Sequence, residues 1–481
     1  MGKIVILGAG VTGLTAAWQL SKDYGNKVIV IENQKSVGGL ATTFRRGSAS
    51  FDLGSHRLSV DSGSHRFHPA FDSRIFKLIQ DLCGDSLLRR ERKGLLYIRG
   101  KFLRYPPSSL DILFGFGLAT SCRFLKDFLT ARTNGHNGHA PDHDFETYTV
   151  SKVGKTLYDY FYKPYAVKLW GMPPSGIASD PAVHRVRKFE GQSLLNDFKK
   201  VFSKFGPDNF YYPARGIGQI AEEMKERFLA NGGELRCGAQ IGDMRFDHDA
   251  RVRSIGFRSA SGAFEEVETD LVLSTIPLDS LHHLVRLAGE KEPPLFDLKW
   301  RALRILYLLT DDWLRGDSET YYFPEPKIMI GRVSDVSRYS PALNQALGQT
   351  VLTVEIPCSE GDEIWNASDE DLARRCLEEM RRAGLGNGRA ASVAESFSVK
   401  LPNVYPLYEK GWRERYERVM ARLRQIENLY LAGRSALFLH CNIDHCMSMA
   451  MDFVDFLSRQ NGDRKKWEEI QKGFFNYRVR E

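Results

Sequence analysis

The segment from Lys3 to Glu32 constrains the fold more than any other part of the chain. Lys3-Ile4-Val5-Ile6-Leu7 is a short β-branched run that stops at Gly8-Ala9-Gly10-Val11-Thr12-Gly13 and passes into the helix-period stretch Leu14 to Leu20. Strand, tight glycine turn and helix in that order turn the helix's free N–H groups toward an anion. Gly8 permits the turn, Gly10 lets a pyrophosphate reach the backbone, and Gly13 lets the helix pack on the strand. A second strand, Lys27 to Ile31, ends in Glu32, nineteen residues after Gly13. A carboxylate there accepts hydrogen bonds from both hydroxyls of an adenosine ribose and repels a 2′-phosphate. The segment predicts an α/β dinucleotide-binding domain.

The residues beyond Glu32 select the dinucleotide. Gly38-Gly39 precedes Leu40-Ala41-Thr42-Thr43, and a second glycine pair suits close approach by another part of a long, extended cofactor, which fits FAD better than NAD. The N-terminus resembles that of the FAD-binding flavoproteins that include amine oxidases, protoporphyrinogen oxidase and UDP-galactopyranose mutase. The resemblance implies a Rossmann-like FAD-binding domain of the GR2 type, a helical segment and an antiparallel-sheet substrate domain. It implies cofactor contacts from Gly8, Gly10, Val11, Thr12, Gly13, Glu32, Asn33, Gly38, Gly39, Leu40 and Ala41.

At 481 residues the chain predicts two or three domains, and 42% hydrophobic with 26% charged residues is the profile of a soluble globular enzyme. A net charge of +7 fits an anionic cofactor plus an anionic substrate, and fits equally a surface with a slight basic bias. No concentrated basic stripe argues for nucleic acid. Seven cysteines without a CxxC pair argue for a reducing compartment and against a disulfide scaffold or zinc site. The first strand begins at residue 3, leaving no room for a signal peptide ahead of it. The longest apolar run, Ile112 to Ala119, is far short of the roughly 20 residues of a spanning helix. The expectation is a cytoplasmic protein with no transmembrane segment.

Gly-Ser-His-Arg occurs twice, at Gly54–Arg57 and Gly63–Arg66. In UDP-galactopyranose mutases a similar phrase, Gly-Pro-His-Ile-Phe-His, lies beside the flavin. The first copy carries the preceding Asp52-Leu53, the second the following Phe67-His68, so Gly54, Ser55, His56, His65 and His68 are all candidates. The alternative is a surface loop lengthened by duplication. Farther on, Leu95 to Phe102 reads as a hairpin, Leu110 to Arg132 as an apolar helix, and 133–144 as a loop. His136, His139 and His143 there lack metal-ligand spacing, and no metal is expected. Tyr158 to Gly171 is dense in aromatics that can wall a cleft. It resembles the mutase phrase Tyr-Thr-x-Lys-x-Trp-Gly, by which Tyr165 stacks on a nucleobase and Trp170 borders the active site. The alternative is a core helix with aromatic filling.

The chain then returns to the cofactor domain. An amphipathic helix comes after Phe210-Tyr211-Tyr212-Pro213 and runs to about Ala230, and Asp270 to Pro277 is a buried strand entering a turn. Cys237 to Ile241, taken as its neighbour, resembles the family's adenine-side strand, with backbone contacts from Ile241. Ala302–Leu309, Thr320–Phe323, Ile328–Val333, Gln349–Ile356 and Ser392–Lys400 predict an antiparallel sheet, with a helix from Asp369 to Ala383. Arg332 matches the mutase arginine that binds diphosphate. Asn428 to Arg434 is a closing strand ending at Gly433-Arg434, succeeded by Phe438 to Asp444 and a helix from about His445 to Leu457. In the resembling flavoproteins this turn lies under the isoalloxazine, which implicates Gly433, Arg434, Asn442, Ile443 and Asp444. The expected domains are 1–85, 205–285 and 417–481 for FAD, 86–204 as a mainly helical cap, and 286–416 as the sheet domain.

Two chemistries compete. In the first, a substrate hydride passes to flavin N5 while a histidine removes the hydroxyl or amine proton. His440 and His65 are the preferred bases, with His56 and His68 behind them. In the second, by resemblance to the mutase, reduced flavin N5 attacks an anomeric carbon and no net electrons are consumed. Tyr165, Trp170 and Arg332 favour it. The C-terminal phrase departs, because mutases carry Tyr-x-Tyr followed by Asp-Met where this chain has Phe438-Leu439-His440 and then Asn442-Ile443. Diphosphate oxygens thereby lose donors. The mutase Arg-x-Pro-x-Arg is reduced to Arg185-Val186-Arg187, with Arg187 the remaining substrate candidate. The favoured reading is an FAD-dependent oxidoreductase acting on a sugar-like, nucleotide-linked or glycosylated small molecule, with a nicotinamide or other external reductant as a further partner. A non-enzymatic FAD-binding protein is the third reading.

Overall fold

In the computed structural model the described residues are 2–47, 57–62, 66–67, 72–105, 111, 115–133, 144–180, 209–287, 290–311, 313–314, 316–343, 349–389, 391–460 and 463–477. Gly54, Ser55, His56, His65, His68 and Arg187 lie outside them.

The elements that build the site are, in chain order, β1 (Ile4–Leu7), α1 (Val11–Tyr24), β2 (Val28–Glu32), β3 (Gly94–Ile98) and β4 (Lys101–Tyr105). They continue with α2 (Lys163–Trp170), α3 (Gly218–Ala230), β5 (Glu234–Cys237), β6 (Leu271–Ser274), β7 (Lys299–Thr310) and β8 (Thr320–Tyr322). The last are β9 (Arg332–Asp335), β10 (Thr350–Cys358), β11 (Val393–Leu407), β12 (Leu429–Leu431) and α4 (Ile443–Gln460).

A five-stranded parallel sheet runs in the order β12, β6, β1, β2, β5, so the chain's beginning, middle and end lie side by side. All four residues of β1 are buried, because a central parallel strand is covered on both faces and must be apolar throughout. Ten of the fourteen residues of α1 are buried, which marks it as an internal helix rather than a surface one. The sheet order corrects one expectation. The segment from Cys237 is not the neighbour of the 270–277 strand: β6 lies between β1 and β12, while β5 pairs with β2. Ile241 belongs to a separate three-stranded sheet.

The second layer is a seven-stranded sheet in the order β11, β7, β10, β9, β8, β3, β4, antiparallel except where β8 meets β3. Its last two strands come from the segment expected to be a mainly helical cap, because the hairpin's apolar alternation is completed only against β8. The expected strand from Ile328 begins later, at Arg332, because the N–H groups of Met329 and Ile330 donate to the Glu379 carboxylate at 2.8 and 3.3 Å instead of to a strand. A smaller apolar cluster of Phe145, Tyr148, Tyr158, Ala166, Leu169 and Trp170 forms the helical part. No helix among the described residues is long and apolar enough to cross a membrane, and no group of potential metal ligands occurs among them.

Candidate cofactor seat and substrate wall

The glycine turn and β2 form one seat. The carboxylate of Glu32 is fixed from both sides: Ala9 N–H donates to Oε2 and Gln34 N–H to Oε1, each at 2.7 Å. A carboxylate offers about four acceptor positions, so two remain for a vicinal pair of hydroxyls. A Cβ built on Gly10 meets no protein atom within 4 Å, whereas one on Gly13 lies 2.0 Å from the Gly8 carbonyl oxygen. Gly13 is thus required by packing, and Gly10 leaves open space before the N-terminus of α1. Val11 and Thr12, the first residues of that helix, are buried.

The second glycine pair lies against the first. Gly38 N–H donates to the Ala9 carbonyl at 2.8 Å, and a Cβ on Gly39 would stand 3.3 Å from Gly10 Cα. Leu40 packs on the upper sheet with Tyr405, Ala41 is buried, and Asn33 is exposed. From the far end of the chain, Gly433 arrives with φ +97°, and a Cβ there would stand 2.7 Å from Thr12 Oγ1. Ala239 N–H donates to the Glu32 carbonyl at 2.9 Å, which brings half-buried Ile241 close to the end of β2. Open space at a helix N-terminus, flanked by a prepared diol acceptor and a second backbone cradle, fits the phosphates and ribose of an extended dinucleotide.

Above this seat the two sheets meet at Arg434. Its guanidinium donates to the Val404 carbonyl at 2.6 and 3.2 Å and to the Cys441 carbonyl, so the side chain ties the closing turn to β11. The same guanidinium stands 5.6 Å over the Tyr405 ring, which meets the His440 imidazole edge-on at 5.4 Å. The turn under His440 is rigid. Tyr408 Oη accepts from His440 N–H at 2.9 Å and donates to the Phe438 carbonyl at 3.1 Å. Phe438, fully buried with its ring 4.7 Å from Trp300, has φ +49°, a left-handed conformation that a bulky residue holds only under constraint. Asn442 N–H donates to His445 Nδ1 at 3.2 Å as α4 begins at Ile443, with Asp444 in its first turn.

Arg332 is one member of a cross-strand row. Tyr322 lies opposite Arg332, and Arg332 opposite Glu355, on β8, β9 and β10. Arg332 Nε and Nη2 donate to Glu355 Oε1 at 3.0 and 2.6 Å, and Nη2 reaches Oε2 at 2.7 Å. Burial opposes the guanidinium's charge, but Glu355, Tyr322 and Tyr405 outweigh it and hold its pKa well above the ordinary value. On the other side of Tyr322, Arg66 donates to Glu319 Oε1 at 2.8 Å and to the Tyr322 hydroxyl, between the rings of Phe210 and Tyr339. Sequence reasoning missed Arg66, Tyr322, Glu355 and Tyr405. One signal was available: Arg66 is the arginine of the second Gly-Ser-His-Arg copy.

The aromatic helix behaves differently from its expectation. Trp170 is 3% exposed and packs edge-on against Phe145 at 5.2 Å, so it fills the helical core instead of offering a face. Tyr165 is half-buried, parallel to Phe161 with centroids 6.2 Å apart. Lys168 anchors α2 to the sheet through the carbonyls of Phe323 and Ile330, and burial pulls its pKa down to about 7.

A glycine turn with the Glu32 carboxylate beside it, a second glycine pair, the 429–433 strand and turn and an antiparallel sheet overhead make the arrangement of an FAD-binding flavoprotein, and the family match agrees. The chain belongs to the flavin containing amine oxidoreductase family, whose pattern matches residues 11–450. The chain is similar in structure to reduced UDP-galactopyranose mutase, with TM-score 0.77 and 19% identity over 100% of both chains. Cyclohexylamine oxidase from Brevibacterium oxydans IH-35A gives 0.62 and 14%, covering 95% of this chain and 100% of that one. In sequence it is 39% identical over 66 residues to an L-amino-acid oxidase of Siganus canaliculatus, covering 13% of this chain and 12% of the relative. It is 43% identical over 91 residues to the inactive all-trans-retinol 13,14-reductase of Danio rerio, covering 19% and 13%. These matched stretches span only a small part of the relatives' own lengths.

Proposed function

We propose that the protein is an FAD-dependent oxidoreductase that removes a hydride from a C–H bond of a polar, sugar-like metabolite. FAD, when bound, would supply the two-electron acceptor for that hydride. The residues present would hold it through Glu32 on the ribose, the α1 N-terminus and Gly10 on the pyrophosphate, and Gly38-Gly39 and Gly433 along its length. His440 is the base of this reading: its imidazole nitrogen takes the substrate's hydroxyl or amine proton, from a turn fixed by Tyr408. Tyr405 and Tyr322 orient the substrate's polar groups. A relative of this fold being an amine oxidase supports the redox class without naming the substrate.

The observation that carries the choice is charge. The mutase resemblance would put a diphosphate on Arg332, yet the two guanidiniums flanking Tyr322 each already hold a buried carboxylate, Glu319 and Glu355. That supports a hydroxylated substrate over one bound through its phosphates. The isomerase reading keeps support from the full-length structural likeness to the mutase and from the position of Arg332. Anaerobic mixing with candidate sugars, sugar amines and sugar nucleotides separates them. The redox reading expects bleaching of the oxidised flavin and a product lighter by two hydrogens. Turnover that requires dithionite and gives a product of unchanged mass refutes it in favour of the isomerase.

A further inference from the structure

Two of the seven cysteines form a close pair. Cys441 Sγ and Cys446 Sγ are 3.8 Å apart, one before α4 and one in its first turn. Among the described residues no other two cysteines touch, and Cys83, Cys122, Cys237, Cys358 and Cys376 are separate free thiols. A disulfide needs sulfurs about 2.0 Å apart, so closure requires an approach of about 1.8 Å, within reach of side-chain rotation and a small shift of the turn.

The two sulfurs are unequal. Cys441 is packed away at 2% exposure, while Cys446 is half-buried beside Thr12 of the glycine turn. Hydrogen bonding from the Cys441 thiol, and then from the Arg434 backbone and Thr12, holds the Cys446 pKa down at about 7 against the opposing effect of burial. Burial drives Cys441 well up, so it keeps its proton. A half-buried cysteine favoured toward its thiolate, in contact with a buried one, is the arrangement of an attacking and a resolving cysteine.

We propose that Cys441 and Cys446 are a reversible oxidative-modification site, in which peroxide converts the pair to a disulfide that locks the turn carrying His440 onto the first turn of α4. The Cys446 thiolate attacks one peroxide oxygen, the O–O bond breaks, and the departing hydroxide takes a proton to leave as water. The resulting sulfenic acid loses its hydroxyl when the Cys441 sulfur attacks. The S–S bond forms, and the Cys441 proton leaves with that hydroxyl as a second water. Two thiols lose two electrons in all, and one peroxide gains them. A small dithiol reverses the bond by exchange. The consequence falls on His440, which adjoins Cys441 in the chain.

The test uses the FAD-loaded protein, treated with hydrogen peroxide, then unfolded in denaturant containing N-ethylmaleimide so that every remaining thiol is labelled, and digested with trypsin. Both cysteines lie in the tryptic peptide 435–459. The expected result is a peptide lighter by two hydrogens, with maleimide labelling of its cysteines reduced at least tenfold and restored by dithiothreitol. In Cys441→Ala the disulfide cannot form, and Cys446 accumulates as a sulfenic acid that a cyclic dione traps. The proposal is overturned if both cysteines of the wild-type peptide remain fully labelled at a peroxide dose that oxidises exposed Cys122. Recovery of either cysteine linked to another part of the chain overturns it equally.

Discussion

Replacing Glu32 by glutamine removes one negative charge and one acceptor oxygen while keeping the shape. In the native protein each carboxylate oxygen accepts one backbone N–H at 2.7 Å. Glutamine satisfies only one of these, and its NH₂ group faces the other N–H, donor against donor. Leaving a buried donor unsatisfied costs about 1–3 kcal/mol, but the amide can turn its NH₂ toward the exposed Gln34 N–H, which water satisfies, so the loss in the apoprotein stays at or below about 1 kcal/mol. The affinity loss is separate. One ribose hydroxyl exchanges a charged acceptor for an amide donor, and a hydrogen bond to a charged group is worth about 1.5–3 kcal/mol. At 1.4 kcal/mol per decade the FAD dissociation constant rises about 10- to 150-fold. Titrating apoprotein with FAD and tracking flavin fluorescence measures it, with urea unfolding of the apoprotein for the first part. A dissociation constant within twofold of wild type would refute the diol role, whatever happens to stability.

The glycines, the arginine row and the cysteine pair each set a further outcome. Gly10→Ala leaves apoprotein stability within about 1 kcal/mol, since φ −70° and ψ 176° suit alanine and the added methyl meets no protein atom, yet FAD retention falls at least tenfold. Gly13→Ala drives a methyl into the Gly8 carbonyl and costs about 3 kcal/mol or more of folding stability by urea titration. Arg332→Ala strands the buried Glu355 carboxylate and destabilises by about 3–5 kcal/mol, most of which returns when Glu355 is replaced by Met alongside Arg332→Met. Alkylation of Cys446 by iodoacetamide in the apoprotein rises as pH passes through about 7, below the ordinary thiol value of about 8.5. Cys441→Ala removes the hydrogen bond that favours the thiolate and moves that midpoint upward.

The strand, turn and helix geometry of the candidate cofactor seat was legible because its information is local. Residues 3–43 carry strand, turn, helix, second strand and second glycine pair in one unbroken stretch, and the seat uses them in that order. The substrate wall was not, because Tyr322, Arg332 and Glu355 meet only through strand register, which a one-residue slip would abolish. Arg332 alone was visible, and its partner, which cancels its charge, was not. For Trp170 the sequence left two readings, because aromatics at helical spacing look the same whether they border a cleft or fill a core, and its packing on Phe145, remote in sequence, was not visible there. The placing of Cys237 to Ile241 beside the 270–277 strand failed because sheet order is a tertiary property that local pattern does not encode.

The parallel sheet interleaves strands whose positions in the chain run 429–431, 271–274, 4–7, 28–32 and 234–237. On a ribosome, therefore, the Gly8–Gly13 loop emerges long before β12 and the Gly433 turn that close over it. Flavin loading in consequence follows synthesis of the 429–433 segment, and the long-range pairing it depends on belongs to the slow class of folding steps. Expression under riboflavin shortage should then accumulate completed apoprotein rather than arrested fragments.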